Sequence, residues 1–136
     1  MNPSSNAARP LDHVAIAVHS IEDARAVFEF LSREPCSEPQ TLETQGVRVA
    51  FVGAVELLEP LGRETPVGRF LERRGQALHH IAYRTDDLDR DLARLVDAGL
   101  EPIEPAPRPG ADGHRVAFLH PSGTGGVLIE LVERRA

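Results

Sequence analysis

The sequence contains no lysine; all 15 of its basic residues are arginines. Catalysis through a lysine Schiff base is therefore excluded. Its single cysteine, Cys36, cannot form an internal disulfide, which fits a reducing compartment, and it reads as a half-buried structural thiol. No apolar run approaches the roughly 20 residues that a membrane-spanning helix requires, so no membrane partner is expected. Basic residues nowhere form a run, and the net charge is −6, which argues against nucleic acid. The stretch from Met1 to Pro10 is polar and small and lacks the pattern of a signal peptide. Residues 1–9 are expected to form a flexible tail, and the protein is expected to be cytoplasmic. Hydrophobic residues make up 41% and charged residues 26% of the 136, which describes one soluble domain, or two small modules sharing one core.

The chain repeats itself. Leu11-Asp12-His13-Val14-Ala15 is matched by Leu78-His79-His80-Ile81-Ala82, and Arg48-Val49-Ala50-Phe51 recurs as Arg115-Val116-Ala117-Phe118. His13 precedes Arg48 by 35 residues, and His80 precedes Arg115 by 35. Ile21 and Leu88 each follow their histidine by eight, and the copies close on Glu56-Leu57 and Glu130-Leu131.

Each copy reads as strand, helix, then strands. Alternation over Leu11 to Val18 puts His13, Ala15 and Ala17 on one face and Val14, Ile16 and Val18 on the other. Ser20 is a fitting N-cap for a helix carrying Ile21, Ala24, Phe28 and Leu31; Asp86 or Asp87 caps a second with Leu88, Leu92, Leu95 and Val96, stopped by Gly99. Val47–Val52 and Val55–Leu58 form a hairpin around Gly53-Ala54. Arg115–His120 and Val127–Val132 form the second pair. Thr65-Pro66 opens a short linking helix that ends near Gly75. The remaining strand of each copy is expected near Ser37–Leu42 and Leu100–Ile103, with a proline-rich loop from Pro102 to Gly113. The expectation is an α+β chain of two paired βαβββ modules, about residues 10–60 and 78–134, with a linker helix within about 61–77. Together they would form an open curved sheet around a metal-centred cleft.

His13 and His80 occupy equivalent positions, each with a glutamate on a closing strand. Glu56 and Glu130 sit among apolar neighbours, and a buried carboxylate costs several kcal/mol unless it is paired or bound to a metal. His13, Glu56, His80 and Glu130 are thus the candidate ligands of one divalent ion. Such a mixed nitrogen and oxygen set suits Co, Mn, Ni, Fe or Zn with open positions for substrate oxygens. Strand parity turns His79, which reads as structural, away from His80, and Glu59 away from Glu56, which makes Glu59 a poorer ligand. The run Gly123-Thr124-Gly125-Gly126 is no phosphate-binding P-loop, because it lacks the lysine and leads into a strand.

From Leu11 to Glu133 the chain resembles the vicinal oxygen chelate superfamily and, within it, the methylmalonyl-CoA epimerases. The resemblance rests on Leu11-Asp12-His13-Val14-Ala15, Val55-Glu56-Leu57-Leu58-Glu59-Pro60-Leu61 and Leu78-His79-His80-Ile81-Ala82. It is completed by Phe118-Leu119-His120-Pro121 with Thr124-Gly125-Gly126-Val127-Leu128-Ile129-Glu130-Leu131. It implies interconversion of (2R)- and (2S)-methylmalonyl-CoA by α-proton exchange through a metal-stabilised enolate. It also implies the same four metal ligands, cobalt as the favoured ion, a small acyl-CoA substrate and a homodimer. Glu130 aligns as a proton-transfer residue. Where one family member carries a second glutamate base, Val49 stands here, and Glu43, nearby but offset, becomes the candidate for the opposite face. Ser122 follows His120-Pro121 where a lysine is common. For the anionic coenzyme the candidate contacts are Arg108, Arg115, His120 and Ser122, with Arg63, Arg69, Arg73 and Arg74 as more distant choices. The alternatives are a glyoxalase I-type lactoylglutathione lyase and a non-catalytic binding protein of the same fold.

Overall fold

The computed structural model describes residues 8–134, so the expected tail lies mostly outside the described residues. The protein is α+β and divides by its contacts into two compact units, His13–His80 and Met1–Asp12 with Ile81–Ala136. Each is built on the repeated βαβββ order.

The unit His13–His80 takes in most of β1 (Leu11–Ala17), then α1 (Ile21–Ser32), β2 (Gln40–Leu42), β3 (Val47–Val52), β4 (Val55–Pro60) and α2 (Pro66–Arg74). It ends in the first residues of β5 (Ala77–Thr85). Its strands follow the order β2-β3-β4-β1, with β4 antiparallel to β3 and parallel to β1. The β3–β4 turn uses Gly53 at φ +58, the conformation a two-residue hairpin favours. Residues His13, Ala15 and Ala17 form the buried face of β1, while Ile16 on the other face packs with Phe28 onto Val18, Ile21, Val52 and Leu57. Cys36 packs on the same cluster, and burial pushes its thiol up, against a nucleophilic role. The strand expected over Ser37–Leu42 is confined to Gln40–Leu42, with Cys36 bridging Val52 on the other side of Pro39, which has no N–H to donate.

The other unit contains β5 from Ile81, α3 (Leu88–Asp97), β6 (Arg108–Pro109), β7 (Arg115–Leu119) and β8 (Ile129–Glu133). Its order, β5-β8-β7-β6, repeats the pattern of the first. Leu88, Ala117 and Leu131 form a core with Tyr83, Leu92 and Leu95. The strand expected at Leu100–Ile103 is a correction. Only Pro102 bridges to Leu119 there, and the paired segment is Arg108–Pro109. Pro102, Pro105 and Pro107 withhold the donors that a ladder needs.

The repeated arginine acquires a structural meaning. In the first unit the Ile21 N–H donates to Glu59 Oε1 at 2.8 Å, and Arg48 Nη1 donates to Glu59 Oε2 at 3.2 Å. In the second the Leu88 N–H donates to Glu133 Oε2 at 2.8 Å, and Arg115 Nη1 donates to Glu133 Oε1 at 3.4 Å. Each carboxylate satisfies an orphan N–H at a helix start, where the dipole favours negative charge. Ile21 and Leu88 are also the fully buried first residues of their helices, each contributing about 1.5–3 kcal/mol through burial.

Asp91 on α3 is buried and accepts hydrogen bonds from Arg9 Nε at 3.0 Å, Arg90 Nε at 3.1 Å and the Thr85 hydroxyl. Burial opposes ionisation, but the bonds from Arg9, Thr85 and Arg90 outweigh it and hold the carboxyl below its ordinary range. A depressed folded-state pKa adds stability above the unfolded aspartate value of about 3.9, and that stability is lost as pH falls through it. Asp91→Asn is expected to cost about 1–3 kcal/mol at pH 7. Urea unfolding should show the gap to wild type narrowing below about pH 4; a gap constant with pH would disprove the assignment.

Candidate metal centre

His13 lies on the buried face of β1, two residues before Ala15, and Ala15 pairs directly with Glu56 of β4. Glu56 in turn faces Phe51 across the β3–β4 hairpin. This register brings Glu56 Oε1 to 3.3 Å from His13 Nε2, and the same oxygen lies 3.7 Å from His80 Nε2. The two imidazole rings stand 5.8 Å apart, centroid to centroid, and steeply inclined. The edge of Phe51 packs against His13 at 5.4 Å. His13, Glu56 and His80 are all buried, at 3–6% exposure.

That spacing fits a shared ion. Metal bonds of about 2.0–2.2 Å place adjacent ligand atoms about 3–3.5 Å apart. A carboxylate oxygen between two Nε2 atoms is also a poor hydrogen-bond geometry at 3.7 Å. The donors are of the type that hold Co, Mn, Ni, Fe or Zn.

The second unit reproduces the register. On β5, Ala82 follows His80 by two residues, and Ala82 pairs with Glu130 of β8, which faces Phe118. Ala15, Glu56 and Phe51 are thus matched position for position by Ala82, Glu130 and Phe118. Glu130 is buried, at 6% exposure.

His79 lies on the opposite strand face from His80, as parity predicts, yet the two rings meet. Its Nδ1 lies 2.9 Å from Nδ1 of His80, and its ring meets the edge of Phe70 at 4.8 Å, over which the Arg74 guanidinium stacks. Nδ1 sits close to the backbone, so neighbours on opposite strand faces can still meet there. The adjacency His79-His80 was the only signal of it in the sequence.

Glu43 is exposed, in a single helical turn between β2 and β3. It follows Leu42, whose ladder runs through Val47 to Pro60, four strand positions or about 13 Å from Glu56. Glu43 thus lies beyond the paired end of β2. Arg115 is engaged by Glu133 and, at 3.0 Å, by Asp89, in the role Arg48 plays in the first unit. Arg63 pairs with Glu72. Arg108 Nη1 lies 3.5 Å from Glu104, while its buried Nε has no hydrogen-bond partner among the described residues. His120 is exposed, and its Nδ1 accepts the N–H of Ser122 at 3.1 Å, so this pair shapes the turn Pro121–Gly123.

Comparison with known proteins agrees with this arrangement. Residues 12–118 match the model of the Glyoxalase/Bleomycin resistance protein/Dioxygenase superfamily. The chain is 38% identical to the ethylmalonyl-CoA/methylmalonyl-CoA epimerase of Cereibacter sphaeroides, over 89% of this chain and 95% of that one. It is 35% identical to the mitochondrial methylmalonyl-CoA epimerase of Dictyostelium discoideum, covering 91% of this chain and 78% of that protein. Among solved structures it resembles a variant of the Streptomyces coelicolor methylmalonyl-CoA epimerase in complex with 2-nitronate-propionyl-CoA. The TM-score is 0.89 and the identity 34%, over 96% of this chain and all of that one (100%). The chain belongs to the Glyoxalase/Bleomycin resistance protein/Dioxygenase superfamily and groups there with the methylmalonyl-CoA epimerases.

Proposed function

We propose that this protein is a metal-dependent epimerase that interconverts (2R)- and (2S)-methylmalonyl-CoA. The observation that carries the reading is one carboxylate oxygen, Glu56 Oε1, set between His13 Nε2 and His80 Nε2 in a relative of acyl-CoA epimerases. Glu130 is the fourth ligand we assign, by its register equivalence to Glu56. Cobalt is the favoured ion by family resemblance. The same resemblance supports a homodimer. Its single cysteine fits a cytoplasmic location, and no described helix is long and apolar enough to cross a membrane.

When bound, the ion supplies a Lewis acid for the oxygen that gains charge as the α-proton leaves. His13, Glu56 and His80 would hold it through two imidazole nitrogens and a carboxylate. Glu130 takes the α-proton: the C–H bond breaks, its electron pair enters the carbon–carbon bond, and the charge passes to the thioester oxygen. The enolate charge then returns to the carbon, which takes a proton from solvent on its other face, and the new C–H bond completes inversion. Val49, buried and apolar, occupies the aligned position of the second base and cannot supply it.

Deuterium incorporation from solvent into methylmalonyl-CoA tests the reading. Exchange should stop on exhaustive chelation and return when Co(II) is added. Exchange that survives chelation would remove the metal from the mechanism. Absence of exchange with metal loaded, alongside turnover of the methylglyoxal–glutathione adduct, would favour the glyoxalase alternative, which the epimerase relatives do not support.

Arg108 is the arginine we assign to the coenzyme, since its inward Nε has no hydrogen-bond partner among the described residues, whereas Arg115 is engaged by two carboxylates. A charge-assisted contact is worth about 1.5–3 kcal/mol. Arg108→Glu should therefore raise KM for the acyl-CoA about tenfold or more, with metal content unchanged. An unaltered KM would take Arg108 off the substrate.

A further inference from the structure

We propose that His79 is a positioning residue for the metal ligand His80, an inference that rests on the metal-centre reading above. The observation is the 2.9 Å approach of the two Nδ1 atoms. A hydrogen bond there needs one nitrogen protonated and the other bare. A metal on Nε2 of neutral His80 uses that atom's lone pair, so the proton of His80 must sit on Nδ1. Nδ1–H of His80 then donates to Nδ1 of His79, which carries its own proton on Nε2. The reverse arrangement puts the proton on Nε2 of His80, the atom that faces Glu56 at 3.7 Å, and blocks it as a ligand. In the metal-competent arrangement the contact gives the Nδ1–H of His80 an acceptor, fixes its ring and raises its basicity, as outer partners of metal-bound histidines do. The His79 ring is itself held by the edge of Phe70 at 4.8 Å, and Phe70 is covered by the Arg74 guanidinium at 5.6 Å. All these groups lie within the unit His13–His80.

Two substitutions separate positioning from packing. His79→Asn puts an amide oxygen near the place of Nδ1 and keeps an acceptor while losing the ring. His79→Phe keeps the ring against Phe70 and loses the acceptor. Co(II) dissociation constants, measured by calorimetry on the purified full chain, should be within about threefold of wild type for Asn and about 10–100-fold weaker for Phe. The opposite order, or equal weakening in both, assigns His79 to packing and overturns the proposal. Should the Phe variant not fold, His79→Leu, which also lacks an acceptor, makes the same comparison. His80→Ala measured alongside keeps the two readings apart. If wild type binds Co(II) no better than His80→Ala, the metal centre fails and this inference with it. If that contrast stands while His79→Phe matches wild type, only the inference fails.

Discussion

His80→Ala should abolish stoichiometric metal binding. The substitution removes one of the two nitrogens that flank Glu56 Oε1 and leaves His13 at 3.3 Å. A change to an outer partner of a ligand costs about 10–100-fold in metal affinity. Loss of the ligand itself should exceed that range, so metal analysis after loading and desalting should find less than a tenth of an equivalent. α-Proton exchange should fall with it. The symmetry of the repeat requires His13→Ala to behave alike. The control is structural: circular dichroism and the urea midpoint of the variant should be compared with chelated wild type, because both lack the ion. Folded protein that retains a full equivalent of metal would show that His80 is a packed core histidine and would dissolve the site.

Much of this centre was legible before any coordinates, because the chain states it twice. The equal spacing of His13 from Arg48 and His80 from Arg115 predicts equal registers, and the registers are equal: Ala15 opposite Glu56, Ala82 opposite Glu130. Parity also separated Glu59 from Glu56 correctly, since Glu59 turns to the other face and caps α1. What could not be read was the purpose of the repeated arginine. Arg48 meets Glu59 and Arg115 meets Glu133 only through the strand register, and the helix N–H each glutamate accepts lies 38 and 45 residues away in the chain. An arginine paired in this way looks, in sequence, like one available for a phosphate. Parity placed His79 on the opposite face from His80 but could not show that the two rings meet. It describes where Cβ points, and Nδ1 lies near enough to the backbone for neighbours to meet. The misplaced strand at Leu100–Ile103 reflects prolines, whose lost donors outweigh an apolar pattern.

Glu130→Gln should separate metal binding from proton transfer. Glu130 is buried on β8, opposite Ala82 and Phe118, where its twin in the first unit is a carboxylate beside a histidine. Glutamine preserves the length and one oxygen donor, so a measurable share of metal affinity should remain. It has no basic carboxylate, so it cannot take the α-proton. A general base contributes about 100–10,000-fold, and α-proton exchange should therefore fall by at least about a hundredfold in the metal-loaded variant. Binding of the ion reduces the basicity of a ligand carboxylate, but it acidifies the substrate's α-proton through the thioester oxygen by more, which leaves transfer favourable. Glu43→Gln provides the contrast. Exposed and about 13 Å along the strand direction from Glu56, Glu43 should tolerate the change with exchange within about twofold of wild type. A large loss in Glu43→Gln would restore it as the base of the opposite face. A metal-loaded Glu130→Gln that exchanges at the wild-type rate would reduce Glu130 to a ligand and direct the search for the base to another group.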